Sequence, residues 1–173
     1  SDLTGANALN LGSGSGTLGA DTILTATAST LTVGGAISDA GGNRSLTKAG
    51  AGILAVGGSV SIGGSLSVTA GTVTFGGATN TLGGGFSISS GTATMNGDST
   101  ITGAVDITGG TLNLGGTNSI SNGVNLTAGI LNIGKAGAIG VNAFTLNGGS
   151  FDNTFGAAMT LNNNPLKLNG SFT

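Results

Sequence analysis

The chain has no cysteine, histidine, tryptophan or tyrosine, and all six of its acidic residues are aspartate. Without Cys or His, the usual nucleophile–base triads and the strong zinc ligand sets are excluded. The missing cysteine leaves the redox compartment open. Charge is scarce as well: 6% of residues carry it, and the basic ones are Arg44, Lys48, Lys135 and Lys167. Four scattered cations make no basic face for nucleic acid and no polybasic stretch for anionic lipid. A net charge of −2 is too small to name a partner. No apolar run reaches the length of a membrane-spanning helix, so no transmembrane segment is expected. The chain opens at Ser1 with neither a Met nor a signal peptide. That is the pattern expected of a processed or excised segment.

What the chain has in quantity is glycine, 37 residues in 173. Glycine at this level without order would predict disorder. Here 38% of the residues are hydrophobic and regularly placed. The glycines therefore read as turn residues of a folded object.

The regularity is a repeat. Gly71-Thr72-Val73-Thr74-Phe75-Gly76-Gly77 returns as Gly91-Thr92-Ala93-Thr94-Met95-Asn96-Gly97 and as Gly110-Thr111-Leu112-Asn113-Leu114-Gly115-Gly116. Copies start at positions 7, 29, 52, 71, 91, 110, 129, 149 and 170, so the period is near 20 residues. A period of this size with small insertions is one turn of a solenoid whose loops vary.

Within each turn, apolar residues alternate with polar ones in short segments. Val73 and Phe75 point one way and Thr74 the other, which is the period of a strand with one buried face. A second alternating series runs through Leu66 and Val68, Phe86 and Ile88, Val105 and Ile107, Val124 and Leu126, Phe144 and Leu146, Leu166 and Leu168. A shorter middle series holds Val60 and Ile62, Leu82, Ile101, Ile120, Ile139, and Met159 with Leu161. Gly-Gly, Asn-Gly and Gly-Asn pairs separate the segments and supply the positive φ of sharp corners. A helical reading fails, because recurrent glycine costs about 1 kcal/mol each inside a helix.

The expected fold is all-β: a parallel β-helix, or β-solenoid, of about eight turns with three short strands per turn. It occupies residues 1–173 as one unit. Stacked about 4.8 Å apart, eight turns make a rod of roughly 40 Å. Neither terminal stretch contains an evident cap. The expectation is a piece of a longer solenoid, with adjoining turns as partners, or a subunit that associates with itself end to end.

The segment Leu46-Thr47-Lys48-Ala49-Gly50-Ala51-Gly52-Ile53-Leu54, continued by Gly63-Gly64-Ser65-Leu66 and by Thr69-Ala70-Gly71-Thr72-Val73, carries a resemblance. It resembles the autotransporter-associated β-strand repeat of large bacterial surface and secreted proteins. About 30 residues match well, and the Leu161–Leu166 segment is similar in style. The sequence departs where Gly58-Ser59-Val60-Ser61 replaces the family's Asn-Thr-Tyr turn, and it has no C-terminal translocating barrel. The resemblance implies an extracellular or cell-surface location, a right-handed β-helix, and a structural or adhesive role. It implies no active site and no cofactor.

Paired carboxylates could make a β-helix a glycan-cleaving enzyme. The acids are Asp2, Asp21, Asp39, Asp98, Asp106 and Asp152. Asp98 and Asp106 share a turn, but one is placed at a corner and the other on the third strand. The reading is therefore not an enzyme, with no catalytic, metal or cofactor residue. Glycan sites usually show exposed aromatics, and Phe75, Phe86, Phe144 and Phe151 fall on inward positions. A possible binding ladder remains: Thr72, Thr74, Thr92, Thr94, Thr111, Asn113 and Asn132 on one outward face. Such a face could meet ice or a surface glycan. Asn113 and Asn132 are expected to form a short amide ladder.

Overall fold

In the computed structural model, residues 2, 3 and 7–173 are described. The chain winds into a stack of rungs whose strands form three parallel sheets. The first sheet has eight strands, from Leu9–Asn10 to Ser150–Asn153. The middle sheet has six, from Gly16–Thr17 to Ser119–Ile120. The third has nine, from Asp2–Leu3 to Leu166–Leu168. One regular rung runs Thr72–Phe75, Thr79–Leu82, Phe86–Ile88, and the next begins at Thr92.

Each strand pairs with its counterpart one rung away, so like residues stack on like. Leu31, Leu54, Val73, Ala93, Leu112 and Leu131 follow one another in one inward column. All but Leu31 of these are fully buried. The small Ala93 sits beside Met95, whose flexible thioether side chain is buried against the same core. Burial of each large side chain contributes about 1.5–3 kcal/mol. This offsets the entropy lost in ordering so much glycine.

From Gly71 onwards, the corner from the third sheet to the first is set by one glycine. Gly71, Gly91, Gly110, Gly129 and Gly149 all have φ between 70 and 85°. A Cβ on Gly91 would run into the carbonyl of Gly71 in the rung before. Glycine is thus needed there for both backbone angle and space.

Three-strand rungs do not persist to the end. The middle sheet stops at Ser119–Ile120, and residues 136–139 form a turn in its place. The turn closes with Ala138 N–H donating to Lys135 O and Gly140 N–H to Gly137 O, at 3.0 and 3.1 Å. Its carbonyls accept from Asn118, just before the last middle strand: Gly137 O from the N–H at 2.9 Å and Ala138 O from Nδ2 at 2.6 Å. Ile139 stays buried, whereas Met159 and Leu161 pack on the core partly buried and without a strand. The copy starting at Gly170 forms no strand, though Thr173 exchanges backbone bonds with Gly149 and Phe151.

Candidate functional site

The outward face of the first sheet holds all seven residues of the expected ladder. Thr72, Thr92 and Thr111 stand in one column, in register across three rungs. Thr74, Thr94, Asn113 and Asn132 stand in the column beside it. Alternation puts them outward, and parallel pairing without slip brings them together. All are half-buried by their neighbours except at the rims, where Ile53 and Ile130 are more exposed. From Thr30 to Asn132 the outward residues of this sheet carry no charge; Asp152 is the first.

Three of the seven residues, Thr94, Asn113 and Asn132, are bonded side chain to side chain. Asn132 Nδ2 donates to Asn113 Oδ1 at 2.7 Å, and Asn113 Nδ2 donates to Thr94 Oγ1 at 3.0 Å. The expected amide ladder is present and reaches one rung further than the sequence suggested. The third sheet does the same: Ser87 Oγ donates to Ser67 Oγ at 2.9 Å and Asn125 Nδ2 to Asp106 Oδ1 at 2.7 Å. Near the last rung, Asn169 Nδ2 donates to Asn147 Oδ1 at 3.0 Å. In these five bonds the donor belongs to the later rung and the acceptor to the earlier one.

The third sheet also carries a furrow of about 330 Å³ lined by Ser65, Ser67, Ser87, Gly103, Ala104 and Asp106. No sequence signal marked it, because it arises from small residues brought together across three rungs. Ser65 Oγ accepts from Gly85 N–H at 3.2 Å, so it too serves the stack. Two apolar hollows of about 150 Å³ lie near the ends of the rod. One is lined by Leu11, Leu18, Leu24, Leu31, Val33 and Ile37, the other by residues including Ile133, Phe151, Met159 and Leu161.

Comparison with family models, curated proteins and solved structures found no match. The face must be read from its own atoms.

Among the described residues no three acids gather into one cluster. Asp98 begins the middle strand Asp98–Ile101, just past the corner where it was expected, and accepts from Thr117 N–H at 2.7 Å. Asp106 lies on the third sheet. Asp39 is nearly buried and accepts three backbone N–H bonds, from Gly63 and Arg44 at 2.8 Å and from Gly41 at 3.0 Å. Those bonds, Gly63's above all, hold its carboxyl below the ordinary 3.8. Its role is to fold the 39–45 loop, in which Ala40 and Asn43 both have φ of 52°.

Two further polar features sit inside. Asn80 and Asn118 face the core of the middle sheet and accept from backbone N–H groups of the preceding rung, Val60 at 3.1 Å and Ser99 at 2.9 Å. Asn118 Nδ2 finds Ala138 O, whereas Asn80 Nδ2 is buried without a partner. Lys48 is completely buried, with Nζ donating to Gly50 O at 2.7 Å, Ala49 O at 2.8 Å and Ala70 O at 3.2 Å. Burial pushes its pKa below the ordinary 10.5. Position could have revealed all three. Lys48 is two residues after inward Leu46, and Asn80 and Asn118 are each two before an inward Leu82 or Ile120.

Proposed function

We propose that this chain is a structural β-solenoid, a rigid spacer or fibre-forming segment of a secreted or surface-attached bacterial protein. The observation that carries the reading is the bonding of outward side chains along the axis. On the first and third sheets, Ser67 with Ser87, Thr94 with Asn113 and Asn132, and Asp106 with Asn125 are joined rung to rung. They brace the rod in the direction of its length. A continuous apolar core and parallel ladders make the same contribution from inside. The location and the bacterial origin rest on the Leu46–Val73 segment's resemblance to autotransporter-associated repeats.

The mechanism is mechanical and needs no cofactor. Bending the rod would stretch ladder bonds on one face and open core columns on the other. Short corners leave little loose backbone for proteases. Negative-stain electron microscopy across a concentration series tests the role. Fibres one solenoid wide, or stiff monodisperse rods, are expected. Flexible or collapsed particles would overturn the spacer reading. Fibres would further favour a subunit that stacks end to end, and rods a segment among adjoining turns.

A second reading has one observation in its favour. The first sheet's outward face is uncharged and in register through Thr72, Thr74, Thr92, Thr94 and Thr111. Such a face suits an ordered neutral surface such as ice or a packed glycan. Thr74→Tyr with Thr94→Tyr separates the two. A surface binder loses binding to ice or to insoluble polysaccharide, whereas a spacer keeps both fold and assembly.

A further inference from the structure

The corner between the third and first sheets does not have one length. Between register-matched residues it holds 25–29 in the rung of Leu24, 49–52 in the rung of Lys48, and 69–71 in the rung of Val68. From there it stays at three residues: 89–91, 108–110, 127–129 and 147–149. The corner thus shortens one residue at a time over the first rungs and then becomes constant. Lys48 stands at the last step.

A single extra residue cannot be absorbed by sliding a strand. A one-residue slip would turn Leu54 and Val56 out and Ile53 and Ala55 in. The extra residue must instead bulge within the corner, and a bulge leaves backbone groups without ladder partners. In this rung Lys48 O still accepts from Thr69 N–H, and Gly52 O from Thr72 N–H, at 3.0 and 3.1 Å. Of the three carbonyls between, Ala49 O and Gly50 O accept from Lys48 Nζ. Ala70 O of the shorter rung supplies the third acceptor. The amine therefore bridges a four-residue corner and the three-residue corner stacked on it. Among the described residues no carboxylate bonds to it. Its three donors are matched by three carbonyl oxygens.

We propose that Lys48 is a length adaptor: a tethered ammonium whose purpose is to let a long corner stack on a short one. It fills an inward position that Val68 and Ile88 fill in the regular rungs. A valine there would leave Ala49 O and Gly50 O without the amine that bonds them. The adaptor makes this edge of the rod the place where corner length can change without breaking the ladder.

The adaptor is needed only while the corner is long, and this gives the test. Deleting Gly50 leaves Ala49-Ala51-Gly52, which matches Thr69-Ala70-Gly71 in length and in its final glycine. The measurement is amide hydrogen exchange at Thr69 and Thr72, with Val124 as the internal standard. With Gly50 in place, Lys48→Met is expected to speed exchange at both by at least about tenfold and to leave Val124 unchanged. In the Gly50-deleted chain the same substitution is expected to change them by less than about twofold. Equal factors in the two backgrounds would overturn the proposal. If Lys48→Met cannot be obtained folded, Lys48→Val with Gly50 deleted decides. It rebuilds the regular rung and must fold, so its failure also overturns the adaptor.

Discussion

Leu66 and Leu166 hold the same place in the repeat, yet one is completely buried and the other is 56% exposed. The contrast extends to whole strands. Leu66–Val68 alternates buried, half-buried, buried, while Leu166–Leu168 is exposed throughout. At the other end Leu9 is 43% exposed in the column where Leu54 and Val73 are fully enclosed. Alternation decides which way a side chain points. Enclosure needs a rung on either side and a middle strand closing the third wall, and the rungs from Leu66 to Ile133 have nearly all of this.

The comparison can be broken most directly in the core. Leu112→Ala is expected to destabilise by about 2–5 kcal/mol, because its cavity has walls on every side. Leu168→Ala is expected to cost about 0.5 kcal/mol or less. Urea unfolding followed by circular dichroism would check both, and equal losses would sink the distinction. Glycine sharpens it next. Gly110 and Gly156 both have positive φ, at 70 and 84°. A Cβ at Gly110 would meet Gly91 and Ser90 backbone, while nothing lies within 4 Å at Gly156. Gly156→Ala should therefore cost only the conformational term of about 1–2 kcal/mol. Gly110→Ala should cost clearly more in the same unfolding assay.

Asn113→Ala removes two ladder bonds on a half-exposed face, and about 1 kcal/mol is expected. Asn125→Ala, which removes one, should cost less; thermal melts rank the pair. The smallest effects are those of pH. Asp39 has a lowered folded-state pKa, so its contribution is complete above 3.8 and fades as pH falls through the folded value. The melting gap between the wild type and Asp39→Asn should be constant near neutrality and close in acid. Lys48 has the opposite sense. Its folded-state pKa is lowered, so the unfolded chain binds the proton more tightly and stability rises as pH climbs towards 10.5. The wild type should gain on Lys48→Met between neutral and alkaline pH, and a gap that stays flat would contradict the burial seen for Nζ.

Much of this molecule is legible without coordinates. Two periods, two residues and about 20, suffice to place the strands and to align Thr72 with Thr92 and Asn113 with Asn132. Pairing in a parallel stack then follows with no freedom of register. The hidden parts are those where chemistry and parity disagree. Lysine ordinarily snorkels to water and asparagine ordinarily marks turns, so Lys48, Asn80 and Asn118 read as surface although their parity is inward. The turn at residues 136–139 was hidden for another reason. Ile139 keeps its inward place, and only the hydrogen bonding around it changes. The serine furrow depends on residues about 20 apart being small together, which no single segment displays.

The direction of the outward bonds has a consequence in time. Ser87, Asn113, Asn125, Asn132 and Asn169 each reach back to an acceptor that came earlier in the chain. A polypeptide is made from its N-terminus. Each arriving coil therefore meets a waiting oxygen on a finished surface, and growth towards the C-terminus works like closing a zip whose teeth all lean one way.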